Sequence, residues 1–135
     1  MTDTGEGYGD ALTRDFWAAA REERLVVQRC ASCGHHQFYP RPFCLECEDG
    51  EVGWVDAAGT GRVYSLTTVH LKVTPDLEPP YIVALVELDE GPRLLTRLVD
   101  EDGSPLVDGV AIGDRVSVAW HDRGEDPPLP IFRRA

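Results

Sequence analysis

At 135 residues the chain has room for one compact domain or two small modules, and a formal charge of −11 argues against a protein whose main work is gripping nucleic-acid phosphates. No apolar run approaches the ~20 residues that span a bilayer, and no signal-peptide pattern accompanies the cysteines, so a soluble cytoplasmic protein without membrane contact is expected. The acidity is uneven: residues 11–47 sum to about +1, whereas residues 48–135 sum to about −9.

Residues 1–9 are rich in glycine and acid, have little to bury, and predict a mobile tail. Asp10 is placed to cap an N-terminal helix over residues 10–24, in which Leu12, Phe16 and Ala20 recur at i+4 and Trp17 widens the apolar face. Leu25-Val26-Val27-Gln28-Arg29 then predicts a strand that delivers Cys30.

The segment 25–53 contains all four cysteines, as Cys30-Ala31-Ser32-Cys33 and Cys44-Leu45-Glu46-Cys47 with ten residues between the pairs. A C-x-x-C turn brings two thiolates within reach of one ion, and a short hairpin returns the second pair to complete a tetrahedron. Gly34 sits where a knuckle needs a residue tolerant of positive φ, so that N–H groups turn toward sulfur. The spacing points to one zinc held by Cys30, Cys33, Cys44 and Cys47, with a rubredoxin-like iron or two disulfides as the competing readings. Four thiolates close the coordination sphere, which argues for a structural ion rather than a Lewis acid. His35 and His36 are superfluous to it and are expected to be solvated.

Tyr39-Pro40-Arg41-Pro42 predicts an extended loop, because each proline pushes its predecessor out of the helical region. From Trp54 the pattern is β, with strands expected over Arg62–Leu71, Tyr81–Leu88, Arg93–Val99 and Arg115–His121. Turn signals at Gly59–Gly61, Pro75–Pro80, Glu90–Pro92 and Gly113–Asp114 separate them. Five or so short strands over 54–135, without a second long helix, favour a small antiparallel OB-fold barrel. No catalytic residues emerge: the cysteines are committed to metal, no serine lies in a Gly-x-Ser-x-Gly elbow, and His70 and His121 fall in or beside strands.

The ordered segments Phe16-Trp17, Leu25 to Gly34, Phe38-Tyr39-Pro40-Arg41, Cys44-x-x-Cys47, Gly59-x-Gly61-x-Val63-Tyr64-Ser65, Pro80 to Gly91, Ile112-Gly113-Asp114-x-Val116 and Pro128 to Arg133 resemble the acyl-CoA-associated zinc-ribbon/OB-fold family catalogued as domain of unknown function thirty-five. The resemblance runs from about residue 12 to residue 134. It implies a mainly β protein: an N-terminal helix, a rubredoxin-like zinc ribbon, then an OB-fold. It further implies a non-catalytic accessory subunit of a thiolase-like enzyme acting on acyl-CoA, in a hetero-oligomer, helping assembly and the positioning or transfer of CoA esters. A purely structural scaffold that never touches CoA, a single-strand nucleic-acid binder and an independent acyl-CoA enzyme are the alternatives, of which the acidic β half disfavours the nucleic-acid binder.

If this chain meets a CoA ester, its phosphates favour guanidinium forks in the less acidic segment, namely Arg21, Arg24, Arg29 and above all Arg41. Tyr64 and Tyr81 are candidates for the acyl path. Phe16, Trp17, Tyr39 and Pro130-Ile131-Phe132 are expected to supply part of a partner-facing surface.

Overall fold

The computed structural model describes residues 8–48 and 50–135, so most of the expected 1–9 tail lies outside the described residues. The chain opens on α1 (Arg14–Ala20), two turns of helix that bury Phe16, Ala19 and Ala20. This is shorter than the periodicity of residues 10–24 predicts. Asp10 does not cap the helix; its carboxylate accepts from the N–H groups of Leu12 and Thr13, at 3.1 and 3.0 Å, and so closes a turn ahead of it. At the other end Glu23 takes a left-handed φ of 57°, Arg24 N–H donates to the Ala19 carbonyl and Glu23 N–H to that of Ala20. That is a Schellman closure built without glycine, hence invisible as a stop signal.

Three strands make the ribbon sheet: β1 (Val26–Cys30), β2 (His36–Gln37) and β3 (Val52–Asp56), with β1 central. Both neighbours of β1 run antiparallel, with Gln28 opposite Gln37 on one side and Trp54 on the other. The barrel follows as β4 (Thr60–Val69), β5 (Tyr81–Leu88), β6 (Arg93–Val99), β7 (Arg115–Arg123) and β8 (Asp126–Arg134), closed in the order β4-β5-β6-β8-β7 with β7 returning to β4. Every pairing is antiparallel except β6 with β8. Where β4 crosses β5 the backbones nearly touch, and a Cβ on Gly61 would lie 2.3 Å from the Glu87 carbonyl oxygen, so only glycine fits.

β8 is the element that the sequence hides. It contains Pro127, Pro128 and Pro130, residues that argue against an interior strand. The parallel ladder to β6 begins only at Leu98 opposite Phe132, so on that side the prolines lie where no strand asks them for an N–H. β7 pairs with the other side across the hairpin.

One hydrophobic cluster joins all the parts: Phe16 and Ala19 from α1, Leu25–Val27 from the ribbon, and Val63, Val86, Leu98 and Phe132 from the barrel. Burial of each large side chain is worth about 1.5–3 kcal/mol, so helix, ribbon and barrel are held against one another rather than strung together. This corrects the partner-surface expectation for Phe16, Ile131 and Phe132, which are 5%, 6% and 0% exposed and belong to the interior. Tyr39, at 47%, does face outward.

Candidate metal centre and adjoining cleft

β1 ends on Cys30, and the chain turns at once: the Cys30 carbonyl accepts from Gly34 N–H at 3.0 Å, with Gly34 at φ 78°. The second knuckle repeats this geometry, Glu48 N–H donating to the Cys44 carbonyl at 3.0 Å with Glu48 at φ 67°. Inside each turn two amides point at the first sulfur, Ser32 and Cys33 at Cys30 Sγ (3.3 and 3.4 Å), Glu46 and Cys47 at Cys44 Sγ (3.3 and 3.5 Å). The two turns are thus related by a local two-fold pattern.

The four sulfurs all lie within 4.8 Å of one another, with Cys30–Cys47 and Cys33–Cys44 at 3.7 Å. A tetrahedron with metal–sulfur bonds of about 2.3 Å has edges of about 3.8 Å, whereas a disulfide needs about 2.05 Å. The four cysteines are free thiols arranged for metal binding, which disposes of the disulfide alternative. Gly50 closes the site from the far side; a Cβ there would meet Cys30 Sγ at 2.2 Å. The electrostatics call for a cation. Cys33 and Ser32 amides bring the Cys30 thiol down to about 6. Cys33 is pulled down by the His35 amide, yet burial and the crowding thiols of Cys30, Cys44 and Cys47 push it up to about 12. Four sulfurs cannot all ionise together without a positive ion among them.

The loop between the knuckles is fixed by two buried glutamines. Gln28 accepts from Arg41 N–H at 2.9 Å and donates to the Arg41 carbonyl at 3.0 Å; Gln37 donates to Gln28 and to the Phe43 carbonyl, each at 3.0 Å, and accepts from Leu45 N–H. Every polar atom of both side-chain amides that the loop can reach is used, which is the condition for burying them. Tyr39 then reaches the barrel, its hydroxyl accepting from Leu95 N–H at 3.2 Å. Between this loop, α1 and the barrel lies an apolar cleft of about 290 Å³ whose walls include Phe16, Trp17, Phe38, Tyr39, Leu95 and Ile131. It occupies the seam where β6 and β8 have not yet paired.

The six residues expected to meet CoA are not brought together. Arg21 donates to the Glu125 carbonyl, and Arg24 is ion-paired with Glu22 and Asp56. Arg29 is exposed beside Gly34, and Arg41 turns back onto the Pro40 carbonyl at 3.0 Å. Tyr64 is half exposed under the Arg93 guanidinium, 3.7 Å from its ring centre, while Tyr81 is 5% exposed in the interior. None of them lines the cleft. Missed altogether were Gly50, Gln28 and Gln37, which carry no motif, and Arg97, which lines the cleft from β6. The strand alternation of β6 was the available signal, since Leu94, Thr96 and Leu98 face inward and Arg97 therefore does not.

A family model described as ChsH2, rubredoxin-like zinc ribbon domain, matches residues 17–53, and one described as ChsH2, C-terminal OB-fold domain, matches residues 54–121. The chain belongs to the ChsH2/DUF35 zinc-ribbon and OB-fold family. Within that family, the ChsH2(DUF35) fold in a structure described as the Ltp2-ChsH2(DUF35) aldolase is 39% identical, with a TM-score of 0.83 over 94% of this chain and 97% of that one. A DUF35 protein of unknown function from Sulfolobus solfataricus shares the fold at TM-score 0.65 and 15% identity. In sequence, the chain is 44% identical over 128 residues to the "Probable enoyl-CoA hydratase alpha subunit" of Thermomonospora curvata, covering 93% of this chain and 39% of that protein's length. A "DUF35 domain-containing scaffold protein" of Methanothermobacter thermautotrophicus is 34% identical over 76% of this chain and 77% of its own. Among the described residues no helix is long and apolar enough to cross a membrane.

Proposed function

We propose that this ChsH2/DUF35 chain is a non-catalytic accessory subunit that assembles with a thiolase-fold enzyme acting on acyl-CoA thioesters, and that its four thiolates hold a structural zinc. The observation that carries this reading is the likeness, over nearly the whole chain, to the ChsH2(DUF35) fold of the Ltp2-ChsH2(DUF35) aldolase. The chemistry of the residues supports it. All four cysteines are committed to one soft tetrahedral donor set suited to zinc, and His70 stands exposed rather than beside a nucleophile. A role in the cytoplasm beside such an enzyme fits the acidic, well-charged surface.

Relatives named as hydratase alpha subunits support the link to CoA esters, although this chain spans about 39% of one and 32% of another, the 3-oxo-4,17-pregnadiene-20-carboxyl-CoA hydratase alpha subunit of Mycobacterium tuberculosis. The archaeal scaffold proteins favour a second reading, a scaffold that never touches CoA. The state of Arg21 and Arg24, both already engaged, supports that second reading for these two residues. Arg29 and Arg41, without a carboxylate partner among the described residues, are the ribbon cations available to CoA phosphates.

Co-expression with a thiolase-type protein is expected to give a stable hetero-oligomer. Sedimentation at micromolar concentration that finds only free chains would refute the accessory role. Calorimetry with an acyl-CoA on that hetero-oligomer then separates the two readings, since Arg41→Ala weakens binding only if this chain contributes to it.

A further inference from the structure

The cleft beside the zinc ribbon has a chemical asymmetry that assembly does not explain. Its walls are aromatic and aliphatic, yet Arg97 also lines it and is the one charged residue to do so among the described residues. Arg97 makes no ion pair with any described residue, in a protein carrying 24 acidic side chains. Burial lowers its pKa, and among its neighbours only Tyr81 acts in the opposite sense, so no carboxylate compensates the guanidinium. A half-buried guanidinium with no carboxylate on it keeps its N–H donors free for an anion from outside the chain.

Arg97 borders the apolar cleft and two polar cavities, one of which also holds Glu101, Asp102 and Asp122. The apolar cleft measures about 290 Å³; the other polar cavity, of about 670 Å³, Arg97 shares with His121 and Arg123, and with Asp76, Asp122 and Asp126. None of those acids comes within 4.0 Å of Arg97. The width and lining of the cleft suit an aliphatic chain, its floor is fixed by the Tyr39–Leu95 bond, and a fork of N–H donors waits at its exit.

We propose that this cleft binds an amphipathic small molecule, an aliphatic or acyl chain lying between Phe16, Trp17, Phe38 and Ile131 with a carboxylate or phosphate head on Arg97. The partner reading explains how such a molecule would reach the chain. Binding by the free protein stands or falls independently of it. The metal enters indirectly, because the wall formed by Phe38 and Tyr39 is part of the loop strung between Cys33 and Cys44.

The test is calorimetric titration of the zinc-loaded chain with octanoate, octyl phosphate and octanol. Both anions are expected to bind, octanol at least about tenfold more weakly, since a charge-assisted hydrogen bond contributes roughly 1.5–3 kcal/mol. The stronger of the two anions identifies the head group. Arg97→Gln should bring the anions down to the level of octanol, Arg97→Lys should restore part of the difference, and Leu95→Trp, at a position 58% exposed on the cleft wall, should abolish binding of all three. Zinc content and circular dichroism confirm that each variant is folded. Equal binding of octanoate and octanol, anion binding unchanged in Arg97→Gln, or no binding by the wild-type chain at millimolar ligand overturns the proposal. If the free chain binds nothing and the cleft becomes protected from hydrogen exchange only in a hetero-oligomer, its occupant is a protein segment, which also overturns it.

Discussion

Replacing Gly50 by alanine tests whether the four sulfurs form one closed site. A Cβ at this position would lie 2.2 Å from Cys30 Sγ, 3.2 Å from the Ser32 Cβ and 3.3 Å from Cys47 Sγ. Since ordinary contact begins near 3.4 Å, the sulfur or the backbone must give by about 1.2 Å, against a tolerance of about 0.2 Å for a metal–ligand distance. The neighbour is not a flexible tip that swings aside; Cys30 is fully buried and anchored by β1. Overpacking costs about 1–3 kcal/mol before any loss of metal affinity. At this chain length each kcal/mol moves Tm by roughly 3–5 °C, so Gly50→Ala should melt at least about 3 °C lower and release zinc to a chromogenic chelator about tenfold faster. Gly53→Ala is the control, because a Cβ there meets nothing within 4 Å. If Gly50→Ala keeps its full metal content and the Tm of the control, the thiolates are not held in the closed cluster described above.

Tyr39→Phe removes the hydroxyl that accepts from Leu95 N–H; stability should fall by about 0.5–1.5 kcal/mol, and NMR should show the Leu95 amide exchanging faster. Asp89 accepts from both terminal guanidinium nitrogens of Arg115, Nη1 and Nη2, at 2.9 and 3.0 Å, and from the Thr60 hydroxyl, which hold its pKa at about 2 against an ordinary 3.8. A depressed carboxylate stabilises the fold above its unfolded pKa and ceases to do so as pH falls through the folded value, so the Tm deficit of Asp89→Asn should be complete at neutral pH and fade between about pH 4 and pH 2. Glu23→Gly relieves the left-handed position that ends α1 and should raise stability by up to about 1 kcal/mol in denaturant titration. Cys44→Ala should lose the metal and unfold the ribbon, visible as absent zinc and a lowered melting transition.

What the sequence discloses and what it conceals divide along physical lines. The metal cluster is legible because its chemistry is local: two C-x-x-C turns need no knowledge of the rest of the chain. β5 and β6 are legible at their full lengths because continuous β-branched and apolar runs end on strong turn residues. β8 is not, since the seam that excuses its prolines exists only once β6 and β7 are in place. α1 is overestimated because the apolar spacing from Leu12 to Ala20 does not show where the helix ends, whereas the hydrogen bonds that bound it depend on one carboxylate and one left-handed glutamate. The cleft is out of reach for the same reason as β8. Its walls come from residues 13–17, 38–40, 94–97 and 129–131, and nothing in any one of those stretches announces the other three. The ribbon arginines attracted attention through net charge, a property of segments, but an arginine's availability is set by neighbours: Arg24 is ion-paired with two acids and Arg97 with none among the described residues.

The late position of β8 in the chain sets an order on folding. β1 to β3 and both knuckles are complete by residue 56, so the ribbon can capture its ion while the barrel is still being synthesised. The barrel has no such early option. β8 bridges β6 and β7 and supplies Phe132 to the centre of the core, so until about residue 132 emerges, the sheet has two raw edges and an open interior. Pairing over such separations is slow compared with helix or hairpin formation, and a strand edge left unpaired is the kind that recruits other chains. The three prolines lie on β8 itself, so what they blunt is the edge of the strand that arrives last, before its own barrel takes it in.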